Sequence, residues 1–534
     1  MSATATKPHL GRSAGLVLPL FSLRSSRDAG IGEIGALAPL GRWLDRAGFR
    51  ALQLLPVSTL PAGEASPYSA LSAMAIDPVY ITLDDAPDYK APGGDIRLPL
   101  ADQIALRTAR SAPRVDYANV RQAKQSALAL AFSYFWDVDW VRTTARAGSF
   151  ATFCSWEEWW LGDYALYCAL RDRYAGRPWT GWPDPLRDRQ PEALDAARRE
   201  LEREILFHQY TQWLADEQWA AAREQLGDVR LFGDFPFMVG IDSADVWANQ
   251  PLFQFDRTTG TPPDAFSATG QDWGLPVYRW DVMHAADDRW LRQRVKRMGR
   301  LYDGYRVDHL VGFFRTYSRA IGEMAGRFDP GDEPDQIAQG ERILSLFTNA
   351  PSQITAEDLG LIPDFVRQSL AKAGLPGYKV IRWERDWHMP GQPFVPPPTF
   401  APVSVATTST HDIDPIALWW DLAPADEKRV FVGSLGENIV PRGVDPATVP
   451  FNAGLHKLML ESAYSAGSDL LLLPLQDACG WRDRINVPAT VGAENWSWRI
   501  PFTVEQLQDD ETMNETAREL RALAERSGRI GIDG

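Results

Sequence analysis

The chain has 534 residues, of which 45% are hydrophobic and 23% charged, and a formal net charge of −15. That is the composition of a globular protein, long enough for one large barrel with insertions or about two to four ordinary domains. The negative balance, with no basic run, argues against nucleic acid and anionic membrane surfaces and leaves a neutral small molecule or polymer as the easier partner.

Near the N-terminus, AGLVLPLF (14–21) follows Lys7 and Arg12, but it is short, contains Pro19 and has no small-residue cleavage site. We therefore read it as the start of the fold rather than as a signal peptide. From about 14 to 85 the pattern is strand, helix, strand, with LAPLGRWLDRAGF (37–49) at helical spacing and FRALQLLPVS (49–58) as a β-type run. From about 115 to 225 the chain is helix-rich, with the clearest helices at 120–136 and 196–227. After Gly227 short apolar runs recur, each stopping at polar residues: 229–237, 302–310, 352–360, 378–383, 403–412 and 468–477. Helical segments such as PDFVRQSLAKAG (363–374) lie between several of them.

Strands alternating with helices predict a parallel sheet, and many such units with polar strand ends predict a (β/α)8 barrel. The expected division begins the barrel in residues 1–85, inserts a helix-rich subdomain over 86–226 and completes the barrel with inserted loops over 227–501. Residues 502–534 form a helical tail, in which NETARELRALAERSG (514–528) reads as an amphipathic helix with Leu520 and Leu523 inward. The Pro-rich MPGQPFVPPPTF (389–400) reads as a loop over the barrel mouth or as an extended connector. Cys154, Cys168 and Cys479 are too few and too scattered for a disulfide framework or a zinc site, and imply reduced cysteines in a cytoplasmic protein. No run of about 18 apolar residues offers a membrane span.

The chemistry is expected at the strand ends. In DGYRVDHL, Arg306 and Asp308 are two apart, so both side chains leave the strand on one face. A guanidinium there keeps a neighbouring carboxylate ionised, as a nucleophile requires, although a structural ion pair is the plainer reading. ITAEDLG adds Glu357, TSTHD adds His411 and Asp412, and FGDFP adds Asp234. Singly, each is more often a structural pair or a cap; four on one barrel rim point to an active site. Paired carboxylates, without metal-ligand spacing, phosphate loop or Ser/His/Asp arrangement, suggest glycoside chemistry. Most of the 21 tryptophans, including Trp156, Trp159 and Trp160 of SWEEWW, read as packing.

GYRVDH, TAEDLG and STHD resemble the catalytic segments of the α-amylase clan, with GDFPF at the place of the clan's first strand-end aspartate. The segments 18–35, 66–81, 242–256, 262–281, 375–380 and 484–501, above all PPDAFSATGQDWG and NWSWR, are similar to the amylomaltases, or 4-α-glucanotransferases. The resemblance runs in order from about residue 12 to 501. It implies transfer of α-1,4-glucan segments between malto-oligosaccharides with retention and no cofactor; no metal is expected, for want of ligand spacing, and a monomer or weak homo-oligomer is the expected state.

Asp308 is then similar to the nucleophile, Glu357 to the general acid/base and Asp412 to the third carboxylate, which stabilises the transition state, while Arg306 orients the nucleophile. His411, Asp234, Ser66, Tyr68, Gln271, Trp273 and Asn486 match substrate-contacting positions. Asp264 and Phe266 lie in the loop that arches over glucan in the family, where Ala265 replaces a common tyrosine. An α-glucan hydrolase on the same scaffold and a non-catalytic glucan-binding protein are the other readings weighed.

Overall fold

The computed structural model describes residues 9–263, 269–435, 444–488, 490 and 492–530. In chain order its strands are β1 (Ser13–Leu18), β2 (Ala51–Leu54), β3 (Arg230–Phe235), β4 (Phe253–Thr261), β5 (Gln271–Tyr278) and β6 (Gly304–Val307). They continue with β7 (Thr316–Ala320), β8 (Gly326–Asp329), β9 (Gln353–Ala356), β10 (Gly377–Val380), β11 (Ser404–Thr407) and β12 (Leu470–Pro474). Strands β1, β2, β3, β6, β9, β10, β11 and β12 close, in that order, into a parallel barrel. With helices between its strands, this is a (β/α)8 barrel, as the alternating pattern predicts.

The strands carry continuous apolar runs because both of their faces are buried. Leu470 and Leu472 of β12 point inward to meet Ala51, Phe232, Tyr378 and Val405, while Leu471 and Leu473 join the larger core outside the barrel. Gly304 is required by this packing: a Cβ there would come 2.8 Å from the Phe232 ring and 2.5 Å from the Gln353 carbonyl oxygen. The same alternation turns Asp234 and Arg306 inward, between outward-facing Tyr305, Val307 and Phe235.

Between β2 and β3 the chain is helical, with long helices at Leu100–Ser111, Tyr117–Phe135, Ala145–Arg173, Pro191–Glu200 and Glu202–Gln225. Asp116 and Thr144 cap two of them by accepting from the Asn119 and Ala147 backbone N–H groups. The single helix expected over 196–227 is broken at Leu201, which is buried where the chain turns. Its second half lies on the barrel wall, where Trp219 Nε1 donates to the Leu301 carbonyl at 2.8 Å and Arg223 pairs with Asp303 at 2.7 Å.

A four-stranded antiparallel sheet, in the order β5–β4–β7–β8, is the element that the sequence does not announce. It is built from the connections that follow β3 and β6, and its strands are polar or interrupted, as by Pro276 in β5. The Pro-rich segment leads from the carboxyl end of β10 to the start of β11. Its second half runs to the strand-start end of the barrel, where the Pro397 and Pro402 carbonyls accept from Gly467 and Asp469 N–H. Among the described residues, no helix is long and apolar enough to cross a membrane.

The helix Glu511–Arg526 docks through Met513, Ala517, Leu520, Leu523 and Ala524. Just beyond it, Arg529 is fully buried and donates to the carbonyls of Tyr464, Ser13, Asp469, Ala466 and Ser468, across the seam where β1 meets β12. Replacing Arg529 by Ala removes all five buried bonds, although Asp469 keeps its Ser13 N–H donor and Ala466 and Ser468 keep Arg12, so we expect a loss of about 2–3 kcal/mol, read as a lower thermal midpoint. A midpoint equal to that of the parent would contradict this role.

Candidate active site

The site begins with strand register. Asp234 on β3 is paired with Arg306 on β6, and Arg306 with Thr355 on β9, so three strand ends share one level. The ladder continues past the strands: Asp308 N–H donates to the Phe235 carbonyl, Glu357 N–H to the Val307 carbonyl and Leu310 N–H to the Glu357 carbonyl. Residues 308–310 are thereby laid against residue 357, at the carboxyl ends of the strands.

Arg306 is the hub. Its Nη1 donates to both Asp234 oxygens at 2.9 and 2.7 Å, and its Nη2 lies 2.8 Å from Asp308 Oδ1 and 3.9 Å from Glu357 Oε2. One guanidinium thus faces three carboxylates, a charge-assisted arrangement with directional donors. Glu357 is further fixed by backbone: His309 N–H donates to Oε2 at 2.8 Å and Leu359 N–H to Oε1 at 3.1 Å. Burial pushes its carboxyl up to about 7; Arg306 opposes the rise, Asp308 adds to it, and the two N–H groups hold it back. Burial also pushes Asp234 up to about 6 against the pull of Arg306.

Asp412 stands opposite, on the loop after β11. His411 Nε2 is 3.2 Å from Asp412 Oδ2 and 3.2 Å from the Tyr68 hydroxyl, which itself donates to Asp234 at 2.9 Å. Asn486 Nδ2 donates to Asp412 Oδ1 at 2.7 Å. Burial works to raise the Asp412 carboxyl, but His411 and Asn486 outweigh it and hold the group well below the usual carboxylate range. Burial likewise pulls the His411 imidazole down, and Asp412 outweighs that and raises it. The Tyr68 ring stacks on His411 with 5.5 Å between centroids.

Eight of the expected residues therefore form one connected cluster: Arg306, Asp308, Glu357, Asp234, Tyr68, His411, Asp412 and Asn486. Trp273, on β5, meets His309 edge to face at 4.9 Å, and Gln271 accepts from Trp273 Nε1 at 3.1 Å. The antiparallel sheet thus carries two expected contacts to the rim. Ser66 opens the turn leading to Tyr68, its carbonyl accepting from Ser69 N–H. Asp264, Ala265 and Phe266 lie outside the described residues.

Four residues that no role was expected of belong to the site. His309 is held at φ 44° and Trp496 at φ 57°, both left-handed, a conformation that non-glycine residues keep only under constraint. Burial pushes the His309 imidazole down to about 4, so the ring beside Trp273 and Phe237 is neutral. Trp496 tilts against both Tyr68 and His411. Arg484 ties the Asp412 and Asn486 carbonyls and the Asp414 carboxylate together.

Asp477, just past β12, is fully buried and accepts from the Thr408 and Ser409 hydroxyls and from Ile416 N–H, clamping the loop that bears His411 and Asp412. Its sequence signal, a carboxylate after an apolar strand, was the one used for Asp234 and Glu357. Among the described residues, no group of three or more His, Cys, Asp or Glu side chains is arranged to hold a metal ion.

A parallel eight-stranded barrel with carboxylates gathered at the carboxyl ends of its strands is the architecture of a barrel enzyme. Residues 18–504 match the family described as 4-alpha-glucanotransferase, and the chain belongs to that family of enzymes. It is 35% identical to the 4-alpha-glucanotransferase of Thermus thermophilus, over 98% of this chain and 100% of that one. It is 31% identical to that of Chlamydia pneumoniae, over 92% of each. Among solved structures it resembles the amylomaltase from Streptococcus agalactiae in complex with acarbose, with a TM-score of 0.81 and 26% identity over 97% of this chain and 99% of that one.

Proposed function

We propose that the enzyme transfers α-1,4-glucan segments between malto-oligosaccharides, as donor and acceptor, by a retaining double displacement. An Asp308 oxygen attacks the anomeric carbon while Glu357 gives its proton to the leaving 4-oxygen, and the bond from that carbon to oxygen breaks. The covalent glycosyl ester is then attacked by the 4-hydroxyl of an acceptor, whose proton returns to Glu357 as Asp308 leaves. Asp412, Asn486, His411, Asp234 and Tyr68 hold sugar hydroxyls around the oxocarbenium-like transition state.

The observation that carries this reading is the Arg306 guanidinium shared between Asp308 and Glu357. Because both oxygens lie on one nitrogen, at 2.8 and 3.9 Å, their separation cannot exceed the sum of those distances. That bound sits at the lower edge of the range of about 6.5–9.5 Å used by inverting pairs and is compatible with the roughly 5–5.5 Å of retaining pairs. The raised Glu357 carboxyl suits a group that must be protonated before it acts. The free cysteines fit the cytoplasmic setting that we propose for a monomer or weak homo-oligomer.

Maltotriose is the test. Glucose plus a ladder of longer malto-oligosaccharides, with total reducing ends constant, is the expected result. Reducing ends that climb would mean that water takes the intermediate and that the protein is a hydrolase. A pH profile adds a second check. Because Glu357 must carry its proton, kcat/KM falls as pH rises through about 7, by about tenfold per unit. A flat profile from pH ~6 to ~9 would remove Glu357 from the acid role.

A further inference from the structure

Glu357 is held unequally by the two strands that flank it. On the β6 side its own backbone is bound, its N–H to the Val307 carbonyl and its carbonyl to Leu310 N–H. On the β10 side, among the described residues, the register pairing of β9 is confined to Ala356 with Gly377. Strand β6, by contrast, pairs with β9 from Gly304–Gln353 through Val307–Ala356.

Past Ala356 a side chain takes over that seam. Asp358 is buried, and its Oδ1 accepts from Tyr378 N–H at 2.7 Å. Tyr378 is a fixed point, because its ring packs inside the barrel and its hydroxyl donates to Gln53 Oε1 at 3.1 Å. Gly377 makes the space for the carboxylate: a Cβ there would come 2.7 Å from both Asp358 oxygens. Arg367 Nε lies 3.9 Å from Oδ2, an exposed partner that adds little. One residue on, Leu359 N–H turns back to Glu357 Oε1 at 3.1 Å. Asp358 thus stands between the Glu357 carboxyl and the N–H that grips it, and its anchorage decides where that N–H sits.

We propose that Asp358 is a positioning residue for the general acid: by tying the exit of β9 to β10, it fixes the Glu357 carboxyl against the leaving oxygen. The inference rests on the acid role proposed above for Glu357. Burial pushes the Asp358 carboxyl up to about 6, against Tyr378 N–H, Lys379 and Arg367, so the seam uses an acceptor oxygen rather than a charge. A catalytic group that is intact but misplaced by an ångström loses about 100-fold in rate.

The experiment compares two donors. For Asp358→Ala, kcat/KM for maltotriose, which needs the acid, is expected to fall by about 10–100-fold. That for maltosyl fluoride, whose leaving group needs none, should stay within about threefold of the parent. Gly377→Ala, which displaces the carboxylate without changing it, should give the same split. Asp358→Asn keeps an acceptor for Tyr378 N–H and should recover most of the loss. Leu359 N–H favours the charged form of Glu357, so its withdrawal in Asp358→Ala should also move the alkaline fall of kcat/KM on maltotriose to higher pH.

Equal losses on both donors in Asp358→Ala and Gly377→Ala, or maltotriose activity at the parent's level in both, would overturn the proposal. The two readings fail separately. Glu357→Gln with undiminished turnover defeats the acid role, whereas an impaired Glu357→Gln beside equal donor losses in the two variants defeats only the positioning role.

Discussion

Asp308→Asn is expected to lower turnover on maltotriose by about 10⁴–10⁶-fold, the scale reached when a covalent nucleophile is removed. An amide oxygen is too weak a nucleophile to form the ester, and no neighbour can replace it. Asp234 is fully buried and committed to Arg306 and Tyr68, while Asp412 is committed to His411 and Asn486. Folding should survive, because the Asp308 backbone N–H still reaches the Phe235 carbonyl and Arg306 keeps its two bonds to Asp234. Rates and melting curves of the purified variant check both statements. Activity within tenfold of the parent would mean that another group attacks.

Glu357→Gln is expected to cost about 10²–10⁴-fold on maltotriose, the range of general acid/base catalysis. Glutamine cannot give a proton to the leaving oxygen or take one from the acceptor, so both half-reactions suffer. It is also an imperfect isostere at this position. Each Glu357 oxygen accepts a backbone N–H, from His309 and from Leu359, and an amide can serve only one of them. One donor is left facing an NH₂ group, so a stability loss of about 1–3 kcal/mol should accompany the loss of activity. The two effects separate by donor: maltosyl fluoride, whose leaving group needs no acid, should recover the first half-reaction but not the fall in stability. Equal losses on both donors would point to disruption of the site rather than to a missing proton.

Much of this was legible because a buried parallel strand leaves little choice of residue. A polar side chain there is either an error or a function, so Arg306, Asp234 and the strand-end carboxylates stood out against runs such as LLLLP. The pairing among them was not legible. That Asp234 lies beside Arg306 is a matter of register across the helical segment and the antiparallel sheet, and no local pattern encodes it.

The sheet itself was hidden because its strands alternate weakly and expose much of their length. The break at Leu201 was hidden because both flanks read as good helix. His309 and Trp496 owe their places to left-handed backbone, which only the folded surroundings impose. Asp477 could have been found, since it follows an apolar strand as Asp234 and Glu357 do. Its task, holding the loop of His411 and Asp412, is visible only once Thr408, Ser409 and Ile416 are seen around it.

The most direct measurement is the mass of the peptide that contains Asp308 after Glu357→Gln protein is mixed with maltosyl fluoride and quenched in acid. Glycosylation can proceed without an acid, and release is slow without a base, so the intermediate should accumulate. The account predicts a maltosyl group on that peptide, with fluoride released in a burst equal to the enzyme present. Fluoride release without any adduct, or an adduct on the peptide of Asp234 or Asp412, would contradict it.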